Sequence, residues 1–458
     1  MNPRSPDARH SPFDLRASPL VSLCSEIGRG HPSYLDSVLT ALGFSSSLSP
    51  AAGEGKREGD SRPIRGSEHP QITQIAQIGP GMRPAVSVES AESADEMSCL
   101  TVPQLCTGVS GLAWTLARAA YRLGAQGGPA TWLYNRLRSP DAGPSRPQLS
   151  LLGSTLRRDF AGYDGIVLVD HPLLAHILAD TCRVAYVHGE IAAPCSSAVP
   201  GAWRTFVPLE STSARLEAYG VKRAALTVTG LLIEPRFLTW AQSSFSARLA
   251  RLSSIGVRSS ESGIPLTVAF FTSGAYPRPH MHRIMTAAVS AAQAGHRCLI
   301  FWGAGWLRAA RAQLFLRRFS LTEEQVRPLW SRDRLAETAR AAELLPRLDV
   351  MVAAAHERTN WAVGLGLPMF ALFPHIGPFA RENYAFASQQ GVCLPLTSME
   401  DAHRFGKTLS ELHRSGRLAE MARSGWGRYP ITGAAAVARE LLTAVGPTRK
   451  LNASASQP

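Results

Sequence analysis

The sequence predicts an α/β fold of two Rossmann-like domains, each a parallel sheet wrapped by helices, facing a central cleft. Three observations carry this. Short apolar runs of strand length alternate with segments of helical period from Leu20 onward. The alternation comes as two series, separated by a Ser-, Gly- and Arg-bearing stretch at 239–263 that reads as a linker. A turn of glycine or other small residues follows the first strand of each series: Gly28-Arg-Gly30-His31 in one, Thr272-Ser273-Gly274-Ala275 in the other.

The elements follow in order. Residues 1–17 are polar and Pro-rich and read as disordered. The first domain spans 18–238. It opens with the strand LVSLC (20–24), the glycine turn, and the helix YLDSVLTALGF, with Pro32 suited to a first helical turn. Residues 45–98 are dense in Ser, Gly, Pro and charge and read as a flexible insertion, with QITQIAQI (71–78) as a candidate short strand. Residues 111–138 form two helices broken at 124–129. Strands follow at 163–170, 182–189, 204–210 and 225–230, with helices HPLLAHILADT and STSARLEAYGV between them. The second domain spans 264–445. Its strands are 265–274, 296–303, 348–355 and 367–374, its helices include a basic one at 306–319, and its last helix is 433–445. Residues 446–458 read as a disordered tail.

Composition bounds the function. The 458 residues are 45% hydrophobic and 18% charged, enough to bury sizeable cores and too apolar for a disordered chain. A net charge of +13 suits an anionic partner such as a phosphorylated substrate or an anionic lipid surface. Nucleic acid is not expected, because no basic stripe with interleaved aromatics spans a recognisable binding fold. The seven cysteines are scattered without a CxxC pair, which argues against a zinc module or a disulfide framework. No metal and no cofactor is expected. The start lacks an apolar signal core, and no uninterrupted apolar stretch reaches the ~20 residues of a spanning helix. A cytoplasmic protein is the expectation.

Three constellations sit where a parallel sheet binds ligands, beyond the strand C-termini. In the first, Gly28 and Gly30 let a backbone approach closely, and His31 can act as a base near neutral pH. In the second, Ser273, Gly274 and Ala275 can cradle a diphosphate through backbone N–H groups, with Arg278 as a bidentate phosphate contact. In the third, His356, Arg358 and Thr359 stand at one strand end, His375 and Gly377 at the next, and Glu382 and Asn383 open the following helix. Each has an ordinary reading as a tight turn or a helix cap.

The order of these pieces resembles a GT-B glycosyltransferase of the family 28 type. That group includes the lipid-linked GlcNAc transferase of peptidoglycan synthesis and monogalactosyldiacylglycerol synthase. GRGHPSYLDSVLTAL resembles the N-terminal glycine loop with its His, and VTGLLIEPRF (228–237) the end of the N-terminal domain. FFTSGA resembles the second glycine loop, and GLGLPMFALFP through ENYAFASQQGV the donor-site segment. The resemblance implies a nucleotide-sugar, UDP-linked, held by the C-terminal half at Ser273, Gly274, Ala275, Arg278, His356, Arg358, Thr359, His375, Gly377, Glu382 and Asn383. It implies an acceptor on the N-terminal half near Gly28, Gly30, Asp170 and His171, with His31 as the base of a metal-independent displacement. The chain departs from the family's pattern at Ala362, where a ribose-gripping Glu is usual, and at Ala380, where Gln or Glu is usual. Around Val187-His188-Gly-Glu190 the expected Asp is absent, so His188 and Glu190 enter as acid–base candidates.

The leading expectation is an inverting hexosyltransferase acting on a lipid or small-molecule acceptor. A degenerate GT-B protein with a binding or scaffold role, or a UDP-sugar epimerase on the same fold, are the alternatives. The aromatic, Arg-bearing region 111–138 has two readings, an amphipathic core helix pair or an anionic-membrane contact. The second would put the protein at the inner membrane face.

Overall fold

The computed structural model describes residues 18–26, 30–44, 97–137, 142–254, 264–303 and 305–446. The expectations for 1–17, for Gly28, for the strand at 71–78 and for the tail beyond 446 lie outside these residues.

Two six-stranded sheets form the two domains. The first contains β1 (Leu20–Cys24), β2 (Met97–Thr101), β3 (Ile166–Val169), β4 (Arg183–Val187), β5 (Arg204–Val207) and β6 (Leu226–Val228), in the order β2-β1-β3-β4-β5-β6. The second contains β7 (Thr267–Phe271), β8 (Arg297–Phe301), β9 (Val326–Leu329), β10 (Val350–Ala353), β11 (Met369–Leu372) and β12 (Cys393–Leu396), in the order β12-β11-β10-β7-β8-β9. Every pairing within both is parallel. Helices cover both faces, so the central strands are buried along their whole length, as LVSLC, IVLV, VMVA and MFAL require. The two sequence-predicted halves are therefore two parallel-sheet α/β domains.

Three strands were not legible as runs: β2, β9 and β12. Each lies at a sheet edge, where one side is open and polar or Pro residues are tolerated. In β9 the sequence is VRPL with Arg327 exposed, and in β12 it is CLPL. The segment read as an insertion thus ends at β2, which pairs with β1 from Leu20↔Met97 to Cys24↔Thr101.

The stretch at 239–263 carries the helix Ala241–Ser253. Its buried face is Ala241, Ser244, Phe245, Arg248 and Leu252, a helical period that its Ser and Arg members conceal in sequence. Arg248 is fully buried and gives its guanidinium hydrogens to the carbonyls of Leu348 (2.9 Å), Leu365 (2.8 Å) and Gly366 (3.0 Å).

The chain crosses back after the second sheet. The last helix, Gly433–Val445, lays Val437 and Leu441 against Leu35 and Val38 of the first domain's helix Gly30–Ala41. The glycine of the VTG segment makes this return possible. Gly230 has φ +91°, and a Cβ there would stand 2.6 Å from the Pro430 carbonyl oxygen.

Candidate active-site cleft

In each sheet the strand order reverses once, and the loops on either side of the reversal part to leave a crevice. In the first sheet this lies between the ends of β1 and β3. In the second it lies between the ends of β7 and β10. The loops after β3, β7 and β10 line one cleft of about 810 Å³ counting its open mouth, through His171, Ser273, Ala275 and His356 among others.

On the first domain's side, Asp170 ends β3 and is fully buried. Its carboxylate accepts from the Ser25 N–H (3.1 Å), the Ser25 hydroxyl (3.3 Å) and the Cys24 thiol (3.5 Å), and burial lifts its pKa to about 6. Asp170 thus pins the loop leaving β1 and stands outside the cleft's lining. His171, beside it, does line the cleft. Its Nδ1 accepts from the Leu173 N–H (3.1 Å) as the cap of the helix Pro172–Leu178, leaving the Nε2 edge as the proton-bearing one.

His188 is withdrawn from the acid–base candidates. It is fully buried, with Nε2 donating to the Ala192 carbonyl (2.9 Å) and Nδ1 accepting from the Tyr186 hydroxyl (3.0 Å). Burial lowers its pKa to about 4, so it is a neutral brace for the loop after β4. Glu190, two residues on, lines the cleft. Burial, with Glu357 nearby, raises its pKa to about 8 and keeps it protonated at neutral pH. Gly30 begins the first helix, and the His31 side chain lies outside the described residues.

On the second domain's side, Ser273, Ala275, His356 and Gly377 line the cleft. The Ser273 hydroxyl is buried with no partner among the described residues, an opening for a ligand oxygen. Burial lowers the pKa of His356. Gly274 and Arg278 are exposed and stand outside the lining. His375 also stands outside it, its ring 4.0 Å from that of Phe373 and 5.2 Å from that of Tyr384.

Four predicted donor contacts are buried or paired within the protein. Arg358 is buried, its guanidinium 3.9 Å from the ring centre of Trp361 and 4.8 Å from that of Phe271, with Glu337 at 3.5 Å. Trp361 in turn donates to the Glu234 carboxylate (3.0 Å). Asn383 is buried at the domain interface. It donates to Glu190 (2.6 Å) and to the Ala355 carbonyl (3.1 Å), and accepts from the Ala192 N–H (2.8 Å). Glu382 faces Arg215 of the first domain at 3.7 Å. Thr359 is buried beneath the strand end, its hydroxyl unpartnered among the described residues. Asn383 and Glu382 thus satisfy groups of the opposite domain, which spacing within one chain segment does not disclose.

Sequence reasoning missed one wall altogether. The helices Gly108–Gly124 and Pro129–Leu137 of the first domain reach over the second domain's loops. Gln126, at their junction, donates to the Ala275 carbonyl (2.5 Å). Its own carbonyl accepts from the Arg278 N–H (3.1 Å). Asn135 accepts from the Gly377 N–H (3.1 Å) and donates to the His375 carbonyl (3.4 Å). Tyr121 and Tyr134 of this hairpin line the cleft. The break at 124–129 was legible, but its docking on loops some 150 and 240 residues away was not. His280 and Ser196 also line the cleft without having been singled out.

The hairpin's outer surface bears on its two readings. Trp114 and Ser110 point inward and both bond the Leu152 carbonyl, at 2.9 Å each. Val109, Leu112, Leu116 and Leu123, and Trp132 on the second helix, are exposed. The helix Trp306–Arg317 packs on its sheet through Ala309, Ala312 and Leu316 while Trp306, Leu307 and Leu314 face outward. No helix among the described residues is long and apolar enough to cross a membrane.

No family model matches the chain, and no curated protein matches it. Among solved structures it is similar to UDP-GlcNAc 2-epimerase from Neisseria meningitidis bound to UDP-GlcNAc, at 10% identity over 93% of this chain and 99% of that one, with a TM-score of 0.49. It is similar to the spinosyn rhamnosyltransferase SpnG complexed with thymidine diphosphate at 12% identity over 92% and 99%, TM-score 0.46. It is also similar to S. aureus MnaA with UDP at 9% identity over 91% and 93%, TM-score 0.44.

Proposed function

We propose that this protein is a nucleotide-sugar enzyme of GT-B architecture, an inverting hexosyltransferase that takes its sugar from a UDP-linked donor. The observation that carries the reading is a single cleft lined from both domains, by His171 after β3 and by Ser273, Ala275 and His356 after β7 and β10, which suits two substrates meeting between two sheets. The donor would lie on the second domain, its diphosphate against Ser273, Ala275 and the loop of His356 and Gly377. The acceptor would enter from the first domain, past His171. In the reaction, His31 takes the acceptor hydroxyl's proton and the oxygen attacks the anomeric carbon. The bond to the diphosphate breaks with its electron pair leaving on the phosphate oxygen. Glu190, protonated at neutral pH, is suited to donate a hydrogen bond to the donor and not to act as the base. The exposed apolar stripe Val109, Leu112, Leu116 and Leu123 supports a lipid-borne acceptor at an anionic membrane surface.

The test is calorimetric titration with UDP, dTDP and GDP, followed by incubation with UDP-sugars. Micromolar UDP binding and a transfer activity lost in His31→Ala support the reading. Conversion of the UDP-sugar without any acceptor would replace transfer by epimerisation. Absence of binding to all three nucleotides would leave a scaffold protein.

A further inference from the structure

The helix Arg278–Gln293 starts at the cleft, yet its first turn has few hydrogens to give an anion. Pro277 and Pro279 carry no N–H. The Arg278 N–H is spent on the Gln126 carbonyl (3.1 Å), and the Met281 N–H on the Pro277 carbonyl (2.9 Å). The described side chains lining the cleft include no Lys and no Arg. A diphosphate held here lacks the charge compensation that a helix N-terminus or a basic side chain gives elsewhere.

His280 stands in that same first turn, lines the cleft, and is 3% exposed. Its Nε2 is committed as a donor to the Pro374 carbonyl (2.8 Å). Its Nδ1 is buried and has no partner among the described residues. An imidazole pinned by one nitrogen with the other bare can present either a lone pair or a proton without moving. The Ser273 hydroxyl, likewise unpartnered, lines the same cleft.

We propose that His280 is a donor-binding residue that takes up one proton from solvent as a nucleotide-sugar's diphosphate enters the cleft, its imidazolium Nδ1–H supplying the positive charge that the helix start withholds. The inference rests on the nucleotide-sugar reading above. In the empty protein, burial above all holds His280 neutral, at about 4, with Arg283 and the imidazoles of His356 and His375 beside it. Glu190 and His171 face the same cleft from the first domain. A negative charge at ~4–6 Å raises an imidazole's pKa by roughly 1 to 3, so the two charges of a diphosphate lift His280 into the neutral range.

Calorimetric titration of the full chain with UDP-glucose and UDP-GlcNAc tests this at pH 6.5, in two buffers of low and high ionisation enthalpy. The diphosphate diester of these probes does not titrate near neutrality, so a buffer-dependent enthalpy reports protons taken up by the protein. Uptake of about one proton is expected in the wild type. His280→Gln should lose it, with about tenfold weaker binding at pH 6 and a smaller loss at pH 8. Undiminished uptake in a folded His280→Gln protein overturns the proposal and leaves the nucleotide-sugar reading standing. Should that variant fail to fold, wild-type affinity across pH 6–8 decides: weakening as pH rises supports the proposal, and a flat profile overturns it. If neither probe binds the wild type, the nucleotide-sugar reading fails and this inference with it.

Discussion

Glu190→Gln is expected to make the protein more stable, and more so as the pH rises. In the unfolded chain this carboxyl ionises near 4.5, and in the folded protein burial holds its proton until about 8. Between those values the unfolded state has lost a proton that the native state keeps. Stability therefore falls as pH rises, and the loss is complete only above the folded pKa. From pH 6.5 to 8.5 the fall from this group is roughly 2 kcal/mol, at about 1.4 kcal/mol per pH unit until the folded carboxyl itself ionises. Gln keeps an oxygen to accept from Asn383, now at 2.6 Å, and removes the titration. Cysteines such as the half-buried Cys182 and the buried Cys393, and the histidines held near 4, titrate alike in both proteins and drop out of the difference. Urea unfolding of wild type and variant at pH 6.5, 7.5 and 8.5 measures it. A stability gap that does not widen with pH would refute the reasoning, because the carboxyl would then be ionised in the folded protein too.

Three further outcomes are expected. Arg334, in the second domain, pairs with Asp36 of the first domain's helix at 2.5 Å, with Asp36 buried. Arg334→Met strands that carboxylate and should cost ~3–5 kcal/mol in urea unfolding, part of it recovered by adding Asp36→Asn. Asn383→Ala leaves the Ala192 N–H unpaired at the domain interface and should lower stability by about 2 kcal/mol, visible as a lower Tm. Leu116→Glu with Leu123→Glu should weaken binding to vesicles containing anionic phospholipid by at least about tenfold and leave UDP binding unchanged. Equal vesicle binding by both proteins would remove the membrane-surface reading.

Much of the architecture was decided by the sequence alone. Central parallel strands are buried on both faces, so β1, β3, β10 and β11 must be nearly continuous apolar runs, and such runs declare themselves. The small-residue turns after β1 and β7, and the polar residues after β10, mark where a crevice must open once the strand order reverses. Ser273, Ala275, His356 and Gly377 were found in that way. What the sequence could not decide depends on partners distant in the chain. Edge strands β2, β9 and β12 are paired on one side only, and polar or Pro residues interrupt their apolar runs. His188, Arg358 and Asn383 look like site residues in a line of text, but burial makes them braces, because a polar group removed from water takes the nearest complementary group. Conversely, His280 looks like one more polar residue of an amphipathic helix. Only the tertiary structure spends one of its nitrogens on Pro374 and leaves the other without a partner among the described residues, in a side chain that lines the cleft.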